Sequence, residues 1–211
     1  MPLPFARLLT HVCTALLLAC ALPACSPTPP SPPAVAFQGR DISGSLTLQD
    51  FTLTDHNGQP RKLSEFRGKP VAVYFGYTHC PDVCPTTLAQ LAGAQKQWAS
   101  LPEASRPRVL FVSADPDRDS PQLTGDYAHA FHADTLAATA PLPQLEAFAR
   151  SLSLVFMKSP GASGKPDDYT IDHSAALVVL DPQARMAGVV QPPFDVKGIA
   201  ADLAQLTEGK Q

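Results

Sequence analysis

Tyr74-Phe75-Gly76-Tyr77-Thr78-His79-Cys80-Pro81-Asp82-Val83-Cys84-Pro85-Thr86-Thr87-Leu88 is a hydrophobic run that ends in two cysteines spaced C-x-x-x-C. Upstream, Val71, Ala72 and Val73 complete the β-branched and aromatic composition of a buried strand, which Gly76 breaks. Downstream of Pro85, the apolar residues Leu88, Leu91, Ala92 and Trp98 recur at helical spacing. The stretch therefore reads as strand, reactive turn, helix, with Cys80 and Cys84 at the junction. Pro85 lacks an N–H and suits the first helical position, which makes Cys84 the expected N-cap. A thiol there would face unpaired backbone N–H groups and the positive end of the helix dipole, both of which favour thiolate. Pro81 stiffens the intervening turn, so Cys80 can fold back towards Cys84. Such a pair can be a stabilising disulfide, a redox couple or part of a metal site. So short a loop restricts the unfolded chain little, which disfavours the purely stabilising role.

The rest of the composition narrows the class. The chain has 211 residues, a net charge of -3 and 17% charged residues, which leaves no basic footprint for nucleic acid. Of five cysteines, Cys13, Cys20 and Cys25 fall near the N-terminus, so the remainder has one pair and no disulfide framework. Residues 1–25 have the pattern of an export signal, with Arg7 ahead of a Leu- and Ala-rich run that is short for a membrane span. Leu22-Pro23-Ala24-Cys25 resembles the bacterial lipobox, making Cys25 the expected lipidation site, with Cys20 in Leu17-Leu18-Ala19-Cys20 as a second candidate. Residues 26–37 are a proline-rich spacer favouring extended, solvated backbone. These features imply a lipoprotein-type signal peptide over 1–25, a linker over 26–37 and a folded domain over 38–211, held at a bacterial membrane on the periplasmic side.

Within that domain, Asn57-Gly58 marks a hairpin turn, and residues 71–76 a central strand. Residues 85–100 read as a helix and 108–113 as the next buried strand, an order that implies a parallel crossover. Asp115, Asp117 and Asp119 lie in a polar turn that leads to Ser120, an N-cap, and Pro121 at the first helical position. Leu123, Tyr127, Ala130 and Phe131 are spaced to share one face of that helix. A shorter helix begins at Pro143, and 154–157 read as a strand. A loop then delivers His173, after which strands over 176–180 and 186–191 form a hairpin before a final helix from about Val196. Alternating strands and helices with a cysteine pair at the first strand-to-helix turn describe an α/β, thioredoxin-like layout: a central mixed sheet flanked by helices, with an N-terminal hairpin extension. In that layout His173 falls against the cysteine turn, either as a third ligand or as a hydrogen-bonding histidine. Two thiolates and one imidazole make a three-coordinate set suited to Cu(I), whereas structural zinc usually takes a fourth ligand.

Residues 74–88, 111–121 and 172–182 together resemble the signature blocks of the Sco/SenC copper-chaperone family, over most of residues 45–206. The resemblance implies a thioredoxin-like fold, copper ligands Cys80, Cys84 and His173, and a role in building the CuA site of cytochrome c oxidase. It implies copper as the metal, as Cu(I) with Cu(II) left open, the CuA-bearing subunit as acceptor, and a thiol-disulfide reductant for the cysteine pair. The competing reading is a periplasmic thiol-disulfide oxidoreductase that uses Cys80 and Cys84 as a redox pair, although C-x-x-x-C departs from the usual C-x-x-C spacing.

Overall fold

The computed structural model describes residues 40–41 and 48–208. The expected signal peptide, the lipidation candidates Cys25 and Cys20, and the proline-rich spacer lie outside the described residues. The chain runs through β1 (Arg40–Asp41), β2 (Thr52–Asp55), β3 (Pro60–Lys62), a 3-10 turn (Leu63–Phe66) and β4 (Val71–Gly76). It continues with α1 (Val83–Trp98), β5 (Arg108–Ser113), α2 (Pro121–Phe131), β6 (Leu136–Thr139), α3 (Leu142–Ser151), β7 (Phe156–Pro160) and β8 (Tyr169–His173). The chain closes through β9 (Leu177–Leu180), β10 (Met186–Val190) and α4 (Val196–Glu208). An eight-stranded sheet has the order β1-β10-β9-β4-β5-β6-β2-β3, and β7 and β8 form a separate two-stranded ribbon. Strands β4, β5 and β6 are parallel and the others antiparallel, so the sheet is mixed.

β4 occupies the middle because its whole length is apolar and can be covered on both faces. Tyr74 points to one face, where its ring lies 6.2 Å from Phe111, which in turn meets Tyr127 of α2 at 5.7 Å. Phe75 points to the other, 5.6 Å from Phe148 of α3, and Phe148 also meets Phe51 at 5.2 Å. Leu88, Leu91 and Trp98 of α1 are buried, and the Trp98 indole N–H donates to the Ala200 carbonyl at 2.9 Å, fixing α4 alongside α1. The β2–β3 hairpin turns at Gly58, whose positive φ of 76° suits the tight reversal, and β2 joins β6 to extend the sheet.

Three local expectations change. β6 has no counterpart in the sequence reading: Leu136-Ala137-Ala138-Thr139 has weak strand propensity and becomes a strand by pairing with β5 and β2. Thr124, Gly125 and Ala128 are the buried residues of α2, and of the face expected from spacing Tyr127 and Phe131 pack on the core whereas Leu123 and Ala130 are exposed. Gly125 decides this, because a Cβ there would come 2.4 Å from the His56 Cβ, so the helix lies directly on the β2–β3 turn. That contact also half-buries His56 and His129, whose rings meet edge to face at 4.9 Å. Finally, β7 begins two residues later than its expected start at 154, in register with β8.

Candidate metal centre

The centre forms where β4 ends. Cys80 follows the strand in a turn closed by its N–H donating to the Tyr77 carbonyl, and α1 begins at Val83 with Asp82 as N-cap. Cys84 is therefore the second helical residue and Pro85 the third, a correction to the expected cap position. Pro85 is still tolerated, since the first-turn N–H groups have no intrahelical partner. The Cys84 N–H is one of these unpaired donors, and it donates to the Cys80 sulfur at 3.3 Å. The expectation of a dipole-stabilised thiolate at Cys84 is also corrected. The side chain is fully buried, and burial pushes its thiol up to about 12, with the hydrogen bond to Cys80 adding to the rise. Desolvation outweighs the helix terminus here.

His173 comes from the last position of β8. Its Nε2 lies 3.3 Å from the Cys84 sulfur, and its Nδ1 lies 3.2 Å from the Ser174 carbonyl. A carbonyl can only accept, so Nδ1 carries the proton and Nε2 presents its lone pair to the buried thiol, which donates to it. Burial holds the imidazole below its ordinary pKa, against smaller opposing contributions from the Ser174 carbonyl and Asp172. A neutral ring with a free Nε2 is the form that binds a metal. Donor atoms of Cys80, Cys84 and His173 all lie within 4.8 Å of one another, and among the described residues no other group of three or more such side chains is arranged to hold a metal. Both cysteines are free thiols, and Cys80 is 8% exposed. It lines an open cleft of about 380 Å³ with Tyr77, Val83, Ile171 and His173.

Supporting residues escape sequence reading because their roles depend on distant contacts. Asp119 is fully buried behind the cysteine turn, accepting from the Thr78 N–H at 2.8 Å, the Thr78 hydroxyl at 2.6 Å and the Ser113 hydroxyl at 2.5 Å. It is thus a structural anchor in the acidic cluster. His79, adjacent to Cys80, is half exposed and bonds the Thr78 hydroxyl, outside the donor triangle. Met186 fills the core, while Met157 is 64% exposed. Gly76 has a steric role, since a Cβ there would lie 2.9 Å from the Cys84 sulfur and 2.8 Å from Phe111.

The ribbon carrying His173 is clamped to the Asp115 turn. Arg118 pairs with buried Asp115 at 2.5 Å, donates to the Tyr169 carbonyl at 3.0 Å and stacks 3.6 Å from the Tyr169 ring centroid. The Tyr169 hydroxyl donates to Asp115 at 2.8 Å, while Lys158 covers the same ring and pairs with Asp117. Arg118→Ala leaves the Asp115 carboxylate buried without its cation, so a loss of about 1–3 kcal/mol is expected in urea denaturation. Amide exchange in β8 should accelerate in the same variant; unchanged exchange there would mean that the clamp does not hold His173 in place.

A family model described as SCO1/SenC matches residues 40–208. The chain belongs to the SCO1/SenC family. Apo Sco1 of Thermus thermophilus has 32% identity and a TM-score of 0.70, the match covering 84% of this chain and 99% of that one. Bradyrhizobium japonicum ScoI, solved with copper bound, has 31% identity and a TM-score of 0.66, covering 74% of this chain and 96% of that one. The SCO2 homolog of Mus musculus mitochondria is 36% identical over 133 residues, 63% of this chain and 51% of that protein. The chain spans about half the length of the mitochondrial SCO2 relatives from mouse, cow and human. These likenesses bear out the thioredoxin-like fold expected of the family.

Proposed function

We propose that this SCO1/SenC protein is a copper metallochaperone that carries Cu(I) on Cys80, Cys84 and His173 and delivers it to the CuA site of cytochrome c oxidase. The observation that carries this reading is the convergence of two sulfurs and a neutral imidazole within 4.8 Å beside an open cleft. Two soft sulfurs and one nitrogen suit Cu(I) as a cargo, and the cleft leaves room for an incoming pair of acceptor thiolates to displace the ligands one at a time. The copper-bound B. japonicum relative supports the choice of metal. The acceptor rests on the family resemblance.

An anaerobic Cu(I) competition titration of the reduced protein tests the reading, with tight one-to-one binding as the expected result. Because the Cys84 thiol loses its proton only near 12, the metal must displace that proton at neutral pH. Affinity should therefore rise by at least about tenfold per pH unit between 6.5 and 8.5, and fall further below the His173 pKa as the imidazole gains a competing proton. Binding that is weak or independent of pH would sink the metallochaperone reading. A thiol-disulfide oxidoreductase would then take its place: joining the two sulfurs releases two electrons and two protons to a disulfide-bearing partner. In that alternative the attacking sulfur would be Cys80, which lines the cleft, with the buried Cys84 closing the disulfide afterwards.

The same proposal places residues 1–25 as a lipoprotein-type signal, 26–37 as a spacer and 38–211 as the copper-binding domain, anchored through Cys25 on the periplasmic face of a bacterial membrane. Among the described residues no helix is long and apolar enough to cross a membrane. Fractionation checks the anchor: Cys25→Ser should move the protein from membranes to the soluble periplasm, and retention would shift the assignment to Cys20 or to an uncleaved segment.

A further inference from the structure

The end of the sheet opposite the cysteines carries a second cavity. β4 and β5 start there at Val71 and Arg108 and run in register to Gly76 and Ser113. Five residue steps separate the two ends by about 17 Å. Alternation along β5 places Arg108 and Leu110 on the same face as Phe75, and Leu136 of β6 lies beside Leu110. α3 covers the upper part of this face through Phe148. Lower down, Phe66 of the 3-10 turn, Leu110, Leu136 and Ala138 enclose a cavity of about 310 Å³ to which no α-helical residue contributes.

The polar rim of this cavity is unbalanced. Its two carboxylates are already engaged: Asp55 accepts from Arg61 and from the Asn57 and Gln59 N–H groups, each at 2.9 Å, and Glu65 accepts from Arg61 at 3.2 Å and the Lys62 N–H at 2.8 Å. Arg67, Lys69 and Arg108 also line the cavity, and none of the three forms an ion pair among the described residues. Lys69 is held below its ordinary pKa by burial and by Arg108, with Arg106 adding to the effect and Glu103 opposing it. Cations gathered over an apolar floor in a chain of net charge -3 complement an anion that carries an apolar body.

We propose that this cavity binds a phosphate monoester with an apolar substituent, the substituent lying against Phe66, Leu110 and Leu136 and the phosphate at Arg67, Lys69 and Arg108. Isothermal titration of the full chain with phenyl phosphate tests it. Saturable one-to-one binding is expected, weakened by at least about tenfold in Lys69→Gln/Arg108→Gln and again in the exposed-site variant Arg67→Gln, because each change removes a charge-assisted contact. Calorimetric melting should confirm that the variants remain folded. Inorganic phosphate and benzyl alcohol each satisfy only half of the site and should bind at least about tenfold more weakly than phenyl phosphate. Absence of saturable binding, equal binding by the folded variants, or equal binding of inorganic phosphate would overturn the proposal. Monomeric dihexanoyl phosphatidic acid distinguishes two sources of the same chemistry. Displacement of phenyl phosphate supports a lipid headgroup as the natural ligand, and binding of phenyl phosphate without displacement supports a free phosphate ester.

Discussion

Replacing His173 with alanine is expected to weaken Cu(I) binding by more than about a hundredfold, beyond the usual effect of losing a contact that only supports a ligand. The Nε2 that faces the Cys84 sulfur is the one nitrogen in the donor triangle, and no other histidine among the described residues reaches it. Loss of this ring leaves two sulfurs, one of them on a buried thiol that has also lost its hydrogen-bond acceptor. The cost to folding should be small, because the imidazole is half-buried and its other bond is to a neighbouring backbone carbonyl. The check is a competition titration beside a urea denaturation curve. An affinity within about threefold of the parent protein, short of even the roughly tenfold loss expected for a contact that only supports a ligand, would remove His173 from the site. The two thiols should remain oxidisable to a disulfide in this variant, which separates metal binding from redox chemistry.

Gly76→Ala should damage the same centre from behind without removing a ligand. The added methyl group would meet the Cys84 sulfur at 2.9 Å and the Phe111 ring at 2.8 Å, both held in the core. Phe111 is packed between Tyr74 and Tyr127, so it has little room to withdraw. Relief must come from the sulfur and the first turn of α1, which displaces one donor of the triangle. Overpacking of this kind costs about 1–3 kcal/mol in stability. A loss of Cu(I) affinity of at least about tenfold should accompany it, as misplaced donors bind poorly. Parent-like affinity in a destabilised but folded variant would show that the cysteine turn adapts, and that Gly76 serves packing alone.

The contrast between these two positions shows how far one sequence reaches. His173 is legible because a histidine after a loop and before a hairpin falls opposite the cysteine turn in a thioredoxin-like order of elements. Gly76 is visible only as the end of a strand, since the sulfur it makes room for is eight positions away and arrives through the fold. Asp119 and Arg118 are similar: in sequence they belong to a polar turn, and their partners Thr78 and Tyr169 are 41 and 51 positions distant. β6 shows the same limit in the backbone, because its alanines become a strand only between β5 and β2.

By itself the sequence determined the pattern of strands and helices apart from β6 and β8, the cysteine pair at the first strand-to-helix turn, and the three soft or borderline donors. These follow from hydrophobic periodicity, turn chemistry and ligand type, which are local properties of the chain. Only the tertiary structure decided the protonation of the site. The sequence reading set Cys84 at a helix cap, where the dipole favours thiolate; the fold places it two positions further into the helix, under Tyr74 and away from water. Burial acts on the whole charge of a thiolate, whereas a helix terminus offers a fraction of a charge, so desolvation prevails and the metal, when it binds, must drive the proton out.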